Sequence, residues 1–255
     1  MTVLSVNVNK VAVLRNSRGD TEPRPVTAAL CALAAGCHGI TVHPRPDQRH
    51  IRPDDVIHIA GIVGGAEFNI EGNPFAAVRE EYPGLLELVR QARATQVTLV
   101  PDADAQITSD HGFDEDTDFA RLKEIVHGYK DLGSRVSVFI DPGCKVIGQL
   151  ADCSVDRVEI YTGPFAKAFS TGSFVRELDA CTTTAKMARD IGLGVNAGHD
   201  LSQANLATLL QAIPDLDEVS IGHALFTEAL YEGLGVTVRN YLAIIERCAL
   251  HSQSA

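Results

Sequence analysis

The sequence predicts an α/β chain folded as a single-domain (β/α)8 TIM barrel with extra helices, and three observations predict it. Short β-prone runs alternate with helical stretches along the whole 255-residue chain, and eight such strand-then-helix units can be counted. The runs are rich in Val, Ile and Leu and read as apolar on both faces, which suits a parallel sheet covered by helices. The last two runs also end alike: Val195-Asn196-Ala197-Gly198-His199 and Ser220-Ile221-Gly222-His223-Ala224 each break into glycine and place a histidine where a helix begins. Turns after the seventh and eighth strands of such a barrel commonly cradle a phosphate. Glycine admits close backbone approach there, and the following helix points its first N–H groups at the anion.

Composition bounds the rest. α/β barrels of this size are routinely one domain, so residues 1–255 are read as one unit. No apolar run approaches the roughly 18 residues a membrane span needs, and the first residues lack the basic and apolar regions of a secretory signal; a cytoplasmic protein with no membrane partner is expected. The net charge of −11 argues against a general nucleic-acid surface, so any anion site must be local. Six cysteines are scattered without a C-x-x-C pair, which reads as small core hydrophobes rather than a disulfide framework or a metal centre.

In chain order, Val3 to Val8 is the first strand, emptying into Asn9-Lys10 and a polar loop, Leu14 to Gly19, that carries Arg15 and Arg18. Pro25 opens a helix through Ala35, with Gly36 as its stop. The second strand, Gly39 to His43, is followed by a cluster of Arg45, Arg49 and His50. Pro53 starts a helix through Ile62, and Ala66 to Ile70 is a third strand delivering Glu71. Phe75 to Ala94 reads as a helix interrupted at Pro83, and Val97 to Val100 as the fourth strand. The acidic, apolar-poor stretch 102–118 is a candidate lid at that strand's end. A helix over Phe119–Leu132, a fifth strand over Val136–Ile140, a short helix over Lys145–Leu150 and a sixth strand over Val158–Tyr161 follow. Thr162-Gly163-Pro164 then begins a loop through Gly172. A long helix from Phe174 to Ile191, a seventh strand (Leu193 to Val195), a helix after Leu201, an eighth strand (Val219 to Ile221) and closing helices from Thr227 to Leu250 complete the chain.

Residues at the ends of parallel barrel strands share one mouth, so Asn7, His43, Glu71, Pro101, Glu159, His199 and His223 are expected to converge although they are far apart in sequence. Three histidines and two glutamates, with Arg18 and Arg45 nearby, form a set able to move protons and hold anions.

The residues that make up this mouth also carry a resemblance. Asn7 with Leu14 to Gly19, then Gly39-Ile40-Thr41-Val42-His43-Pro44-Arg45 with Arg49-His50-Ile51, are similar to the pyridoxine 5'-phosphate synthase family. The match continues through Asn69-Ile70-Glu71, Leu99-Val100-Pro101, Ile107-Thr108, Val136 to Asp141, Glu159 to Gly163 and both Gly-His turns. The resemblance implies condensation of 1-deoxy-D-xylulose 5-phosphate with 3-amino-2-oxopropyl phosphate, closing a pyridine ring of vitamin B6 with loss of phosphate and water. It implies no metal and no organic cofactor, small phosphorylated substrates as partners, and a homo-oligomer, an octamer in the family. By matching residue, His43 and Glu71 are implied as proton acceptors, His199 as proton donor and Glu159 as transition-state stabiliser. Arg45, His50 and Thr108 are implied to hold the deoxyxylulose phosphate, and Asn7, Arg18, Gly222 and His223 the amino ketone phosphate.

The chain departs from the family's pattern inside the expected site. Asn9-Lys10 stands where the family has Asp-His, Asp102-Ala103-Asp104 where it has Glu-Lys-Arg, Asp200 where it has Gly, and Glu228 where it has Arg. Asp200 is expected to set a negative charge close to a phosphate position and to repel the anion unless turned away. Two alternatives to the synthase are therefore kept: a paralogue applying the same chemistry to carboxylate-bearing or unphosphorylated substrates, with Lys10 a Schiff-base candidate, and a non-catalytic binding barrel.

Overall fold

A computed structural model describes residues 1–104, 106 and 108–252; of the blocks named above, Ile107 lies outside them. Eight parallel strands close into a barrel in sequence order: β1 (Val3–Asn7), β2 (Gly39–Val42), β3 (Glu67–Gly72), β4 (Gln96–Leu99), β5 (Arg135–Ile140), β6 (Arg157–Tyr161), β7 (Gly194–Gly198) and β8 (Glu218–Ile221). Closure comes from β1 pairing β8, with Val3 opposite Glu218 and Val6 opposite Ile221. The helices are α1 (Asn9–Asn16), α2 (Pro25–Ala34), α3 (Pro53–Ala60), α4 (Leu85–Ala92), α5 (Phe119–Asp131), α6 (Ile147–Asp152), α7 (Gly163–Ser170), α8 (Val175–Asp190), α9 (Leu206–Ala212), α10 (His223–Glu232) and α11 (Leu234–Ser252). No helix among the described residues is long and apolar enough to cross a membrane.

The strands are not apolar on both faces. They alternate. Leu4, Val6, Ile40, Val42, Phe68, Ile70, Val97, Leu99, Val136, Val138, Val158, Ile160, Val195 and Val219 are buried and join the hydrophobic cluster that includes the helix residues Ala29, Val56, Val89, Leu122 and Ala185. The alternate positions are polar and face the barrel axis: Ser5, Thr41, Asn69, Thr98, Ser137, Glu159, Asn196, Glu218 and Ser220, all buried. Buried polar groups cost free energy unless hydrogen-bonded, and here most are linked to one another. Ser5 Oγ lies 2.7 Å from Thr41 Oγ1, and Thr98 Oγ1 donates to Asn69 Oδ1 at 3.1 Å. At the N-terminal end of the strands, Glu67, Gln96, Arg135, Arg157, Asn196 and Glu218 form a plug that crosses the barrel. Gln96 Nε2 and Asn196 Nδ2 both donate to Glu218 Oε2, at 3.1 and 3.0 Å. Arg157 contacts the same oxygen at 3.3 Å, and Arg135 pairs with Glu67. Burial, with the Glu67 carboxylate second, pushes the Glu218 carboxyl up to about 8.

Several element expectations need correction. Leu14, Arg15 and Asn16 are helical, in α1, rather than loop. Arg15 is turned inward, where its guanidinium forks onto both oxygens of Asp55, at 2.5 and 2.8 Å. Asp55 also accepts from the Arg52 N–H, closing the start of α3. Residues 75–84 are not helical. Asn73 Oδ1 takes the Phe75 N–H at 2.7 Å, Arg79 and Tyr82 bond each other's backbone, and Gly84 at φ +93° turns the chain into α4, so only the stretch after Pro83 forms a helix. The stretch after Thr162 is helix α7 rather than loop, with Pro164 in its first turn. β7 runs on to Gly198, and Glu71 lies within β3 rather than beyond it, as Glu159 lies within β6.

Candidate active site

The C-terminal mouth of the barrel holds a cavity of about 340 Å³ lined by Asn7, Asn9, Lys10, His43, Arg45, His50, Glu71, Val100, Thr108, Ser109, Phe139, Glu159, His199, Asp200, Ser220, Gly222 and His223. Each residue arrives from the end of a strand or the turn after it, so the parallel topology alone brings together side chains from β1 through to α10. Of the residues singled out from the sequence, Asn7, His43, Arg45, His50, Glu71, Thr108, Glu159, His199, Gly222 and His223 are brought here. Two are not. Arg18 stands exposed beyond α1, and nothing within the single chain carries it to the cavity. Pro101 lines a different depression with Phe75 and Phe113.

His43, buried after β2, sits between two carboxylates: Nδ1 is 3.6 Å from Glu71 Oε2 and Nε2 is 3.5 Å from Asp102 Oδ2. Its backbone N–H is held by Asn9 Oδ1 at 2.9 Å, so Asn9 braces the turn after β2. Glu71 Oε2 also accepts from Asn7 Nδ2 at 3.3 Å. His50 meets the His43 ring edge-on at 5.8 Å. Burial first, then the His43 and Arg45 charges, press the His50 imidazole down to about 2, so it is neutral at ordinary pH. Its Nδ1 accepts the Ile51 N–H at 3.0 Å, which leaves the ring proton on Nε2 as a donor.

Glu159 lies deeper, inside β6. Burial, then the nearby Glu71 and Glu218 carboxylates, raise its carboxyl well above the usual range. Its Oε2 has no hydrogen-bond partner among the described residues. The position of that carboxyl depends on Gly198: a Cβ there would lie 2.3 Å from Glu159 Oε1. A second glycine fixes the loop after β4. Gly112 packs so closely on β5 that a Cβ would meet the Ile140 Cα at 2.3 Å.

His199 follows β7 with φ +86°, and Asp200 after it has φ +59°. Two successive non-glycine residues in the left-handed region store about 1–3 kcal/mol each and persist only where neighbours impose them. Thr162 Oγ1 donates to the Gly198 and His199 carbonyls, both at 2.6 Å, and Asn205 Nδ2 donates to the Asp200 carbonyl at 3.2 Å. The His199 ring stands edge-on to Tyr161 at 5.1 Å, with Nε2 at 2.9 Å from Thr108 Oγ1 and Nδ1 at 3.1 Å from Asp200 Oδ2.

The positions that depart from the family pattern have distinct places. Asp102 is buried against Arg45, whose guanidinium it binds, and accepts from Ser109 Oγ at 2.9 Å. Asp104 pairs with Arg79 on the surface, and the Ala103 N–H is taken by the Gln106 side chain. Glu228 points away from the mouth and accepts from Gln203 and from Tyr241 Oη, at 2.7 Å for the latter. Lys10 lines the cavity and is exposed. Sequence reasoning missed Asp102 as the partner of Arg45, Ser109 as a donor to Asp102, and Phe139 and Ser220 as wall residues. The polar-in alternation of the strands would have found Ser220, while nothing in the sequence pairs Asp102 with Arg45. Among the described residues no cluster of His, Cys, Asp and Glu could hold a metal ion, and none of the six cysteines is in a disulfide.

The chain has likenesses among known proteins both in fold and in sequence. Its barrel is similar to that of KGPDC from Streptococcus mutans, with a TM-score of 0.62 at 12% identity over 97% of this chain and 99% of that one. A tryptophan synthase structure from Mycobacterium tuberculosis matches at TM-score 0.64 and 16% identity over 96% and 92% of the two chains. Both likenesses concern the fold alone. Sequence relatives are far closer: a pyridoxine 5'-phosphate synthase of Xanthomonas axonopodis pv. citri is 57% identical over 246 residues, 96% of each chain. One of Xylella fastidiosa is 57% identical over 247 residues, 96% of this chain and 95% of the other. The family model described as pyridoxal phosphate biosynthesis protein PdxJ matches residues 4–247. This chain belongs to that family.

Proposed function

We propose that this chain is a pyridoxine 5'-phosphate synthase, a transferase-class enzyme that condenses 1-deoxy-D-xylulose 5-phosphate with 3-amino-2-oxopropyl phosphate and closes the pyridine ring of vitamin B6. The observation that carries the reading is the convergence of His43, Glu71, Glu159 and His199 on one cavity beside the first turn of α10. Imine formation, proton shifts and dehydration need several acids and bases rather than one nucleophile. The relatives' name fits that set.

In this reading His43 and Glu71 act as a coupled base pair. The buried imidazole takes a proton from a substrate carbon or nitrogen, and the adjacent carboxylate balances the imidazolium charge. His199, with Nε2 toward the cavity, returns protons to departing oxygen. Protonated Glu159 donates from its free Oε2 to oxyanion character developing over the barrel axis, a task its burial suits because it need not ionise. The amino ketone phosphate rests on the N–H groups that begin α10, next to Gly222, His223 and Asn7. The deoxyxylulose phosphate is held by Arg45, neutral His50 and Thr108, and it must share Arg45 with Asp102.

The exposed side chains of Leu230 and Tyr231, 76% and 88% accessible, support the expected homo-oligomer, an octamer on family resemblance, which sedimentation would read. Activity is tested by mixing the purified protein with both phosphates and following pyridine absorbance and released phosphate. Product with phosphate in equal amounts supports the reading; binding of either phosphate without product contradicts it.

A further inference from the structure

We infer that Asp200 is a positioning residue for His199, holding Nδ1 so that Nε2 is the nitrogen presented to the reacting substrate. The inference deepens the reading above and rests on His199 being the proton donor. Two independent features of the turn support it. The backbone is bent through two consecutive left-handed residues, His199 and Asp200, with Thr162 and Asn205 clamping the carbonyls on either side. That bend places the Asp200 carboxylate beside the imidazole of the preceding residue, with Oδ2 at 3.1 Å from Nδ1. The other edge of the ring is then turned to Thr108 Oγ1, and Tyr161 closes the ring's flank.

A carboxylate can only accept, so Nδ1 must carry a hydrogen in both ionisation states of His199. The proton that leaves and returns is the one on Nε2, and Asp200 itself is not protonated in the step. The hydrogen bond from His199 holds the Asp200 carboxyl below its ordinary value against the opposing effect of burial, and His223 and Lys10 also face it with positive charge. Tyr161, whose hydroxyl is raised by burial and then by Asp200, Asp110 and Asp141, is the remaining titratable group against the ring. The carboxylate expected to repel a phosphate is thus committed to an imidazole, with Lys10 opposite it at the same mouth.

The test compares the full-length protein with Asp200→Gly and Asp200→Asn. Glycine suits φ +59°, so the first variant keeps the turn while removing the carboxylate; the amide of the second can still accept from Nδ1. Imidazole 15N spectra across pH, with His199 assigned by its absence in His199→Asn, are read without substrate. Native protein is expected to keep Nδ1 protonated throughout. Asp200→Gly is expected to mix the two tautomers and cut kcat on the order of 10-fold to 100-fold, with KM changing far less. Asp200→Asn should restore the single tautomer. Identical 15N shifts in native protein and Asp200→Gly would overturn the inference. If the native enzyme makes no pyridine at all, the donor reading fails separately, while the spectra still decide whether Asp200 fixes the ring.

Discussion

The two ends of the barrel interior use the same residue types and do opposite things with them. At the N-terminal end, Gln96, Arg135, Arg157, Asn196 and Glu218 are tied by direct bonds of 2.8 to 3.3 Å that cross the axis. At the C-terminal end, Asn7, His43, Glu71 and Asp102 approach one another only to 3.3–3.6 Å around open space. Carboxyls in direct reach of guanidinium and amide groups close a barrel, even where Glu67 Oε1 and Glu218 Oε1 have no hydrogen-bond partner among the described residues. Carboxylates and imidazoles that stand off from one another around a cavity are poised for a ligand.

If the comparison is right, damage at the two ends should separate into lost turnover and lost stability. The largest effect is expected from His199→Asn, which keeps size but removes the acid. Turnover should fall by about 10²–10⁴-fold with the thermal midpoint nearly unchanged, measured by product absorbance and calorimetry. Next is Glu218→Ala at the plug. It leaves Gln96, Asn196 and Arg157 without the oxygen all three donate to, and is expected to cost about 3–5 kcal/mol by denaturant unfolding while kcat of the folded fraction holds. Gly198→Ala joins the two ends, because the new methyl must displace the Glu159 carboxyl. A loss in kcat of about 100-fold is expected, with a smaller change in KM. The last effect is a slope. The Glu218 carboxyl is raised from 4.5 to about 8 in the folded protein, so its contribution to stability is present in full below the unfolded value and is lost as pH rises through 8. The thermal midpoint should therefore fall between pH 5 and pH 9, and Glu218→Gln should flatten that fall.

The contrast between the ends was half legible in the sequence. The strand count, the Gly-His turns and the convergence of His43, Glu71 and His199 follow from periodicity and from parallel topology. The alternation that makes the interior polar was also there, in runs such as Val158-Glu159-Ile160, but the density of Val and Ile read as apolar on both faces. Helix α1 was obscured because its start has Val8 at the N-cap, no capping side chain and no acidic residue in its first turn. Helix α7 was mistaken for loop although Pro164 in its first turn is a helix-start signal. Residues 75–84 misled in the other direction, because the local backbone pairing of Arg79 with Tyr82 and the prolines at 74 and 83 override helical apolar spacing. The partners of the site residues were the least legible. That Asp102 takes Arg45, and that Asp200 turns back onto His199, are decided by loop paths and by two left-handed residues that no spacing rule announces.

The claim beneath all of this is that the open end of the barrel is built around a bound pair of phosphorylated substrates. A crystal structure of the His199→Asn variant soaked with both substrates tests it most directly. The account predicts one phosphate against the N–H groups of Gly222 and His223 at the start of α10, and the second at Arg45 and His50, with the carbons between lying within reach of Glu71 and Glu159. Density for either substrate on the outer helices, or for neither in the cavity at saturating concentration, would contradict it.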